Sequence, residues 1–221
     1  MNNRPTFAEA QALLEVARGQ KPAPRVLKGA RVVNVFTGEL IQQDVALCGD
    51  RIAGVGTYSG EVEEDLTGLT LVPGFIDGHM HLESSMVTPR QFARAVVPRG
   101  TTTIVTDPHE IANVLGAKGI HYLLESAEGL PLDMWVMRSS CVPATHLENA
   151  GASLTAADLA QLQHPKLLGL AEMMNFPGLV HGDPECLKKV LQSGDQPVDG
   201  HAPKLSGREL CAYVAAGVQS D

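Results

Sequence analysis

Two histidines stand two residues apart in Pro73-Gly-Phe-Ile-Asp-Gly-His-Met-His-Leu-Glu-Ser-Ser85, at the end of an apolar run. Alternate side chains of an extended strand share a face, so His79 and His81 project the same way. Neutral imidazoles side by side suit a divalent first-row metal. An H-x-H pair also occurs as an ordinary solvated strand end. The apolar strand before it, with the Pro-Gly and Asp-Gly pairs, favours the metal reading. Glu172 closes a second apolar run, Leu167-Leu-Gly-Leu-Ala-Glu-Met-Met-Asn175, where an unpaired carboxylate is costly to bury and calls for a cation or strong hydrogen bonds. His201 follows a short strand in Val198-Asp-Gly-His-Ala-Pro203. Taken alone it is a loop histidine; with the other three it completes a constellation. Three imidazoles and a carboxylate from different strands describe a metal-activated water.

Thr106-Asp-Pro-His-Glu110 is a further cluster, expected in the loop after its strand. Asp-Pro is also common turn chemistry, so functional and structural readings of Asp107, His109 and Glu110 stand level. Met173 and Met174 read as packing. His121, His146, His164 and His181 read as structural or surface residues, with His146 alone placed to reach a substrate. No G-x-S-x-G elbow, P-loop or H-E-x-x-H helix occurs, which leaves covalent catalysis without a candidate.

The elements that would position these residues form a series. Candidate strands end near Asp77, Thr106, Arg138, Glu172 and Gly200, at intervals near the roughly 30 residues that a strand, crossover helix and return require. Helical stretches fall at Pro89–Val97, Ala112–Ser126, Ala156–Gln163 and Pro184–Gln192. A doubly wound open sheet has the same spacing, although the glycine-rich dinucleotide fingerprint is missing after the first strand. Before this series, residues 25–70 read as a small β-subdomain of two or three hairpins. Val26–Val35 is one strand candidate, and Asp44–Cys48 and Arg51–Val55 flank the Gly49-Asp50 turn. Residues 1–24 read as a helix and linker, with Thr6 and Glu9 forming a capping box and Phe7, Ala10, Leu13, Leu14 and Ala17 on one face. A closed eight-unit barrel takes about 250 residues. The stretch 71–221 has room for five units, with a sixth strand beginning at 216–221. The expected fold is therefore α/β: an incomplete TIM-type (β/α) barrel of five to six units behind a small β-rich subdomain.

Composition narrows the partners. Of 221 residues 44% are hydrophobic and the net charge is −8, so the chain is globular and has no electrostatic support for binding a nucleic acid. Its apolar runs fall far short of the roughly 20 residues of a membrane span, and the N-terminus lacks a signal-peptide core. Cys48, Cys141, Cys186 and Cys211 lie far apart with no C-x-x-C pair, which points to a cytoplasmic setting rather than a disulfide framework.

The β-rich start, PGFIDGHMH, the fourth-strand acid and the fifth-strand histidine resemble the amidohydrolase superfamily of metal-dependent hydrolases. GFIDGHMHLESSMVTP, GTTTIVTDPHEIANVLG, AEMMNFPG and VDGHAP are similar, more narrowly, to the bacterial and archaeal adenine deaminases. The H-x-H opening is shared with relatives such as dihydroorotase. The ESSM and DPHEIANVLG stretches are the more specific. The resemblance implies that His79, His81, Glu172 and His201 ligate metal, with Glu172 bridging two ions and serving catalysis. It implies binuclear manganese or iron(II), while zinc fits on ligand type alone. The implied reaction is hydrolytic removal of the exocyclic amine of adenine, giving hypoxanthine and ammonia. Glu83, Ser84, Asp107 and His109 are candidate purine contacts, and the complete protein is expected to be a homo-oligomer. In the family a sixth-strand histidine and an eighth-strand aspartate follow, beyond the last residue here. The chain is thus expected to be a truncated form, inactive alone. An amidohydrolase acting on a cyclic amide, or a non-catalytic fragment, are the alternatives.

Overall fold

The computed structural model describes residues 4–220. The chain divides into two units, the first ending at Pro73 and the second beginning at Gly74.

The first unit opens with helix α1 (Phe7–Ala17). The Thr6 hydroxyl accepts from the Glu9 N–H at 3.3 Å, and the Glu9 carboxylate accepts from the Thr6 N–H at 2.7 Å, so the capping box forms. The expected face of α1 forms in part, with Ala10, Leu13 and Ala17 half-buried. Val16 is buried while Phe7 and Leu14 are exposed, because the helix meets the sheet beside it through Val16, next to Ala23, Val26 and Ala46. Seven short strands follow: β1 (Ala23–Lys28), β2 (Arg31–Asn34), β3 (Glu39–Gln42), β4 (Asp44–Cys48), β5 (Arg51–Gly56), β6 (Gly60–Asp65) and β7 (Thr70–Leu71). They form two sheets, ordered β5-β4-β1-β6 and β3-β2-β7. The single strand expected over Val26–Val35 is two strands in different sheets. Lys28 pairs with Asp65 in the first, whereas Arg31 pairs with Gln42 and Thr70 in the second. Two hairpins form, β2–β3 and β4–β5; β6 and β7 instead add in parallel beside β1 and β2.

The second unit alternates strand and helix. It runs β8 (Phe75–Met80), α2 (Pro89–Val96), β9 (Thr101–Thr106), α3 (His109–Leu115), α4 (Ala117–Ser126) and β10 (Asp133–Arg138). It continues through α5 (Ala156–Gln161), β11 (Leu167–Met173), α6 (Phe176–Val180), α7 (Pro184–Leu191), β12 (Val198–Gly200) and α8 (Gly207–Ala215). The five strands are all parallel, in the order β12-β11-β10-β9-β8. A doubly wound sheet starts in its middle and reverses direction, leaving a switch point. Here every strand pairs with its sequence neighbours and the winding never reverses. The sheet is a curled, five-stranded half-barrel of the TIM type. Of the sixth strand expected over 216–221, the described residues show one parallel bridge, Ser220 to Asp199, with the Gly200 N–H donating to the Ser220 carbonyl at 2.8 Å. The final residue, also expected in it, lies outside the described residues.

Two boundaries differ from the sequence reading. Strand β8 continues to Met80, three residues past Asp77, and thereby carries His79. The helix expected over Ala112–Ser126 is two helices, because Gly116 takes φ +62°, ψ −144° and ends the helical path. The core of this unit joins the sheet residues Ile104, Val136, Leu170, Met173 and Val198 to Ile120, Leu123, Leu159, Val190 and Tyr213 from the helices and their ends. No helix among the described residues is long and apolar enough to cross a membrane.

At Gly169 an added Cβ would lie 2.1 Å from the Pro197 carbonyl oxygen, so β11 accepts no side chain there without moving β12. Gly169→Ala should lower the unfolding free energy in a urea titration by about 1–3 kcal/mol, the usual cost of overpacking. A wild-type midpoint would show that β12 yields freely.

Candidate metal centre

In parallel winding, the C-terminal ends of all strands come to one rim. His79 and His81 leave β8 there, Glu172 leaves β11, and His201 follows β12. The Glu172 side chain is 9% exposed and four imidazoles surround its carboxylate. Oε1 lies 3.4 Å from His79 Nε2 and 3.3 Å from His201 Nδ1. Oε2 lies 3.6 Å from His81 Nε2 and 3.6 Å from His109 Nδ1. These separations exceed the roughly 2.7–2.9 Å of a charge-assisted hydrogen bond. Two ligands each about 2.0–2.1 Å from one ion at a tetrahedral angle stand about 3.4 Å apart. The cluster therefore has the spacing of donors around a cation.

Neighbouring bonds orient these donors. The Asp107 carbonyl accepts from His81 Nδ1 at 3.0 Å, which puts the ring proton on Nδ1 and leaves the Nε2 lone pair toward Glu172. The Asp107 N–H donates to the Met80 carbonyl at 2.9 Å, and the Leu82 N–H to the Thr106 hydroxyl at 3.2 Å, locking the ends of β8 and β9 together. The Asp107 side chain is fully buried; Oδ2 lies 2.8 Å from His109 Nδ1 and Oδ1 accepts from the Ser139 hydroxyl at 2.9 Å. The hydrogen bond to Asp107, with a lesser one to Cys141, holds the His109 imidazole well above its ordinary range, pushed up to about 11. Burial pushes the Cys141 thiol up.

His109 and Glu110, expected in a loop, open α3 instead: Pro108 ends the extended path and the helix starts on its far side. Asp107 is no solvated turn residue, since its side chain is fully buried and both its oxygens meet protein partners. Glu83 and Ser84, expected near substrate, tie their turn to α3. Glu83 Oε1 accepts from the Ile111 N–H at 3.0 Å, and the Ser84 hydroxyl donates to Glu110 at 2.7 Å. Glu83 Oε2 is buried with no hydrogen-bond partner, and desolvation raises the carboxyl above its usual range. His146 is not among the imidazoles around the Glu172 carboxylate.

The sequence reading passed over the residues that brace Glu172. The Ser140 hydroxyl donates to the Glu172 carbonyl at 2.5 Å. Lys189, buried on α7, donates to the Ser140 carbonyl at 2.8 Å, and burial lowers its ammonium pKa. The Tyr213 hydroxyl donates to the Met173 carbonyl at 2.7 Å and accepts from the His201 N–H at 3.1 Å. A signal existed for the serines: Ser139 and Ser140 follow β10 in the position where the other strands carry His, Asp or Glu. None existed for Lys189 or Tyr213, which lie on helices.

Residues 70–221 match the amidohydrolase family. The chain belongs to that family. Among curated relatives, adenine deaminase 2 of Carboxydothermus hydrogenoformans is 55% identical over 210 residues, covering 95% of this chain and 37% of that protein. An adenine deaminase of Cereibacter sphaeroides is 55% identical over 211 residues, covering 95% and 37%. Adenine deaminase 1 of Agrobacterium fabrum is 48% identical over 223 residues, covering 100% and 39%. The chain thus spans 37–39% of the length of these relatives. Among solved structures, atrazine chlorohydrolase from Arthrobacter aurescens TC1, complexed with zinc, superposes with a TM-score of 0.56 at 15% identity, covering 89% of this chain and 64% of that one. A triazine hydrolase variant gives 0.57 at 18% identity, covering 86% and 55%. These two share the fold. For this amidohydrolase chain, the imidazole and carboxylate donors around Glu172 fit a divalent metal.

Tyr213→Phe should unpair the His201 N–H and free the ends of β11 and β12. A stability loss of about 1–3 kcal/mol is expected in urea, with weaker retention of divalent metal on dialysis. Unchanged metal retention would remove Tyr213 from the support of the centre.

Proposed function

We propose that this chain is the metal-holding portion of an adenine deaminase, which hydrolyses the exocyclic C–N bond of adenine to give hypoxanthine and ammonia. The observation that carries the reading is the Glu172 carboxylate among imidazoles at the strand ends. It occurs in a chain about half identical to proteins named adenine deaminase. On this reading residues 71–221 are the barrel portion, residues 25–70 a separate β-subdomain, and residues 1–24 a helix and linker.

His79, His81, Glu172 and His201 hold the metal, which we take to be a binuclear manganese or iron(II) pair. Bound divalent ions lower the pKa of water toward neutrality and stabilise charge developing on the substrate. The protein's own part is orientation and charge. Ser140 and Tyr213 fix the backbone on either side of the Glu172 side chain. The Asp107 carbonyl sets the His81 tautomer. Glu83 Oε2, buried without a protein partner, is available to a purine N–H, with Ser84 beside it. The family's cyclic-amide hydrolases provide the competing reading, in which dihydroorotate or a hydantoin is the substrate. The setting we propose is cytoplasmic and the complete protein a homo-oligomer.

The test replaces the matching stretch of the Carboxydothermus hydrogenoformans relative with residues 1–221. The chimera should release ammonia from adenine, and Glu172→Gln should reduce turnover by about 100-fold or more while lowering metal content. A folded, metal-loaded chimera that leaves adenine untouched but opens dihydroorotate would overturn the reading.

A further inference from the structure

Arg138 closes β10 at a point where the chain divides its contacts. The next two residues, Ser139 and Ser140, bond to Asp107 and to the Glu172 carbonyl. The Arg138 guanidinium instead reaches residues that take no part in that cluster. Nη1 donates to Gln196 Oε1 at 2.8 Å and Nη2 to the Leu162 carbonyl at 3.2 Å. Both acceptors are neutral. Among the described residues no carboxylate pairs with Arg138, and burial lowers its pKa. The side chain lines a cavity of about 270 Å³ between β11 and the ends of α5 and α7. Gln163, Gln192, Ser193 and Gln196 form its polar wall, and the buried Leu159 and Leu170 its apolar one. We infer that this cavity binds one small oxyanion, a phosphate or a carboxylate, held by Arg138. The site shares no residue with the group around Glu172 and stands independently of the function proposed above.

A guanidinium carries five N–H donors in a rigid fork that matches two oxygens of a carboxylate or phosphate. The two bonds made here leave the fork with donors to spare. Holding the C-cap carbonyl of α5 accounts for the bond to Leu162, but a cap of that kind works equally well from solvent. Neither acceptor offsets the charge. A half-buried cation without a counterion loses hydration and regains little of it. An oxyanion restores the balance through charge-assisted bonds, roughly twice as strong as neutral ones. The walls agree with an anionic ligand. No Asp or Glu lines the cavity, although the chain carries 25 acidic residues. Gln163 spends one amide N–H on the Ala160 carbonyl at 3.0 Å and keeps the other. Gln196 Nε2 reaches the Leu167 carbonyl at 3.5 Å, which steadies the fork against β11. The end of α7 does not repel an anion with bare carbonyls, because the Ser193 N–H and hydroxyl donate to the Val190 and Lys189 carbonyls. Leu159 and Leu170 exclude water from one side, which strengthens the attraction. The volume lies just below the roughly 300–1,000 Å³ of sites for drug-sized ligands, so the occupant is small.

Titration calorimetry of the 221-residue chain tests the site. Metal is first stripped with EDTA and the chelator removed by desalting, so that no anion binds through a metal. Circular dichroism verifies the fold. Sodium phosphate and sodium butyrate are titrated separately at neutral pH, with ionic strength held constant by sodium chloride. One equivalent of at least one anion is expected, with a Kd of about 1 mM. Binding of phosphate alone, or of butyrate alone, identifies which oxyanion the cavity takes. Arg138→Gln should weaken that binding by about tenfold or more. Gln192→Glu alters an exposed residue and sets a carboxylate on the cavity wall, where it competes for Arg138. It should weaken binding by about tenfold as well, and it covers the case in which Arg138→Gln does not fold. A wild-type chain that binds neither anion would overturn the inference and leave Arg138 as a helix cap. Undiminished binding in both variants would also overturn it, by placing the anion elsewhere.

Discussion

The carboxylate of Glu172 is withdrawn from water at the end of β11, a buried apolar strand of a parallel sheet, and much of the second unit is arranged around that fact. A buried anion costs several kcal/mol unless positive charge or several donors meet it. Its neighbours are imidazoles at 3.3–3.6 Å, close enough to share a cation and too far to hydrogen-bond well. The surrounding structure holds the backbone on which this carboxylate is hung. Ser140 grips the Glu172 carbonyl, Lys189 grips Ser140, and Tyr213 joins the next carbonyl to the strand that leads into His201. Burying the Lys189 ammonium is itself unfavourable, and its bond to a backbone carbonyl offsets part of that cost.

Winding supplies the rest of the geometry. Because the five strands are parallel and in sequential order, each repeat delivers its strand end to the same rim, and each contributes to one cluster. The first unit of the series gives His79 and His81, the second Asp107 and His109, the third Ser139 and Ser140, the fourth Glu172 and the fifth His201. The interior strands are well covered: β11 is buried along most of its length. Strand β8 lies at the outside of the sheet, with Phe75 and Ile76 exposed. Its outer row of backbone donors and acceptors is unpaired within the sheet, a position where further strands pair readily.

Periodicity made the strands of the second unit legible, because a buried parallel strand reads as a short apolar run and the crossover helix sets the interval. It failed where two elements meet without a change in hydrophobicity. Val26–Val35 reads as one run, yet its halves take partners in two different sheets. Ala112–Ser126 reads as one helix, yet Gly116 divides it. The face of α1 departs in part for a related reason: Phe7 and Leu14 satisfy the helical period, but the first unit buries Val16 and covers only Ala10, Leu13 and Ala17 of the periodic face in part.

Residue type and position at the ends of apolar runs singled out His79, His81, Glu172 and His201, because a polar donor there has few other reasons to exist. The same logic gave Asp107 and His109 two equal readings, since an Asp-Pro turn needs no metal. What the tertiary structure adds is position: it buries Asp107 completely and brings His109 to Oε2 of Glu172. It also chose the sheet order, which spacing left open, and it recruited Lys189 and Tyr213 from helices with no local signal. Local sequence specifies what each strand end carries, through burial and period. Which ends converge, and which helix residues reach back to brace them, depends on pairings between residues 20–50 positions apart, and no window of sequence contains those.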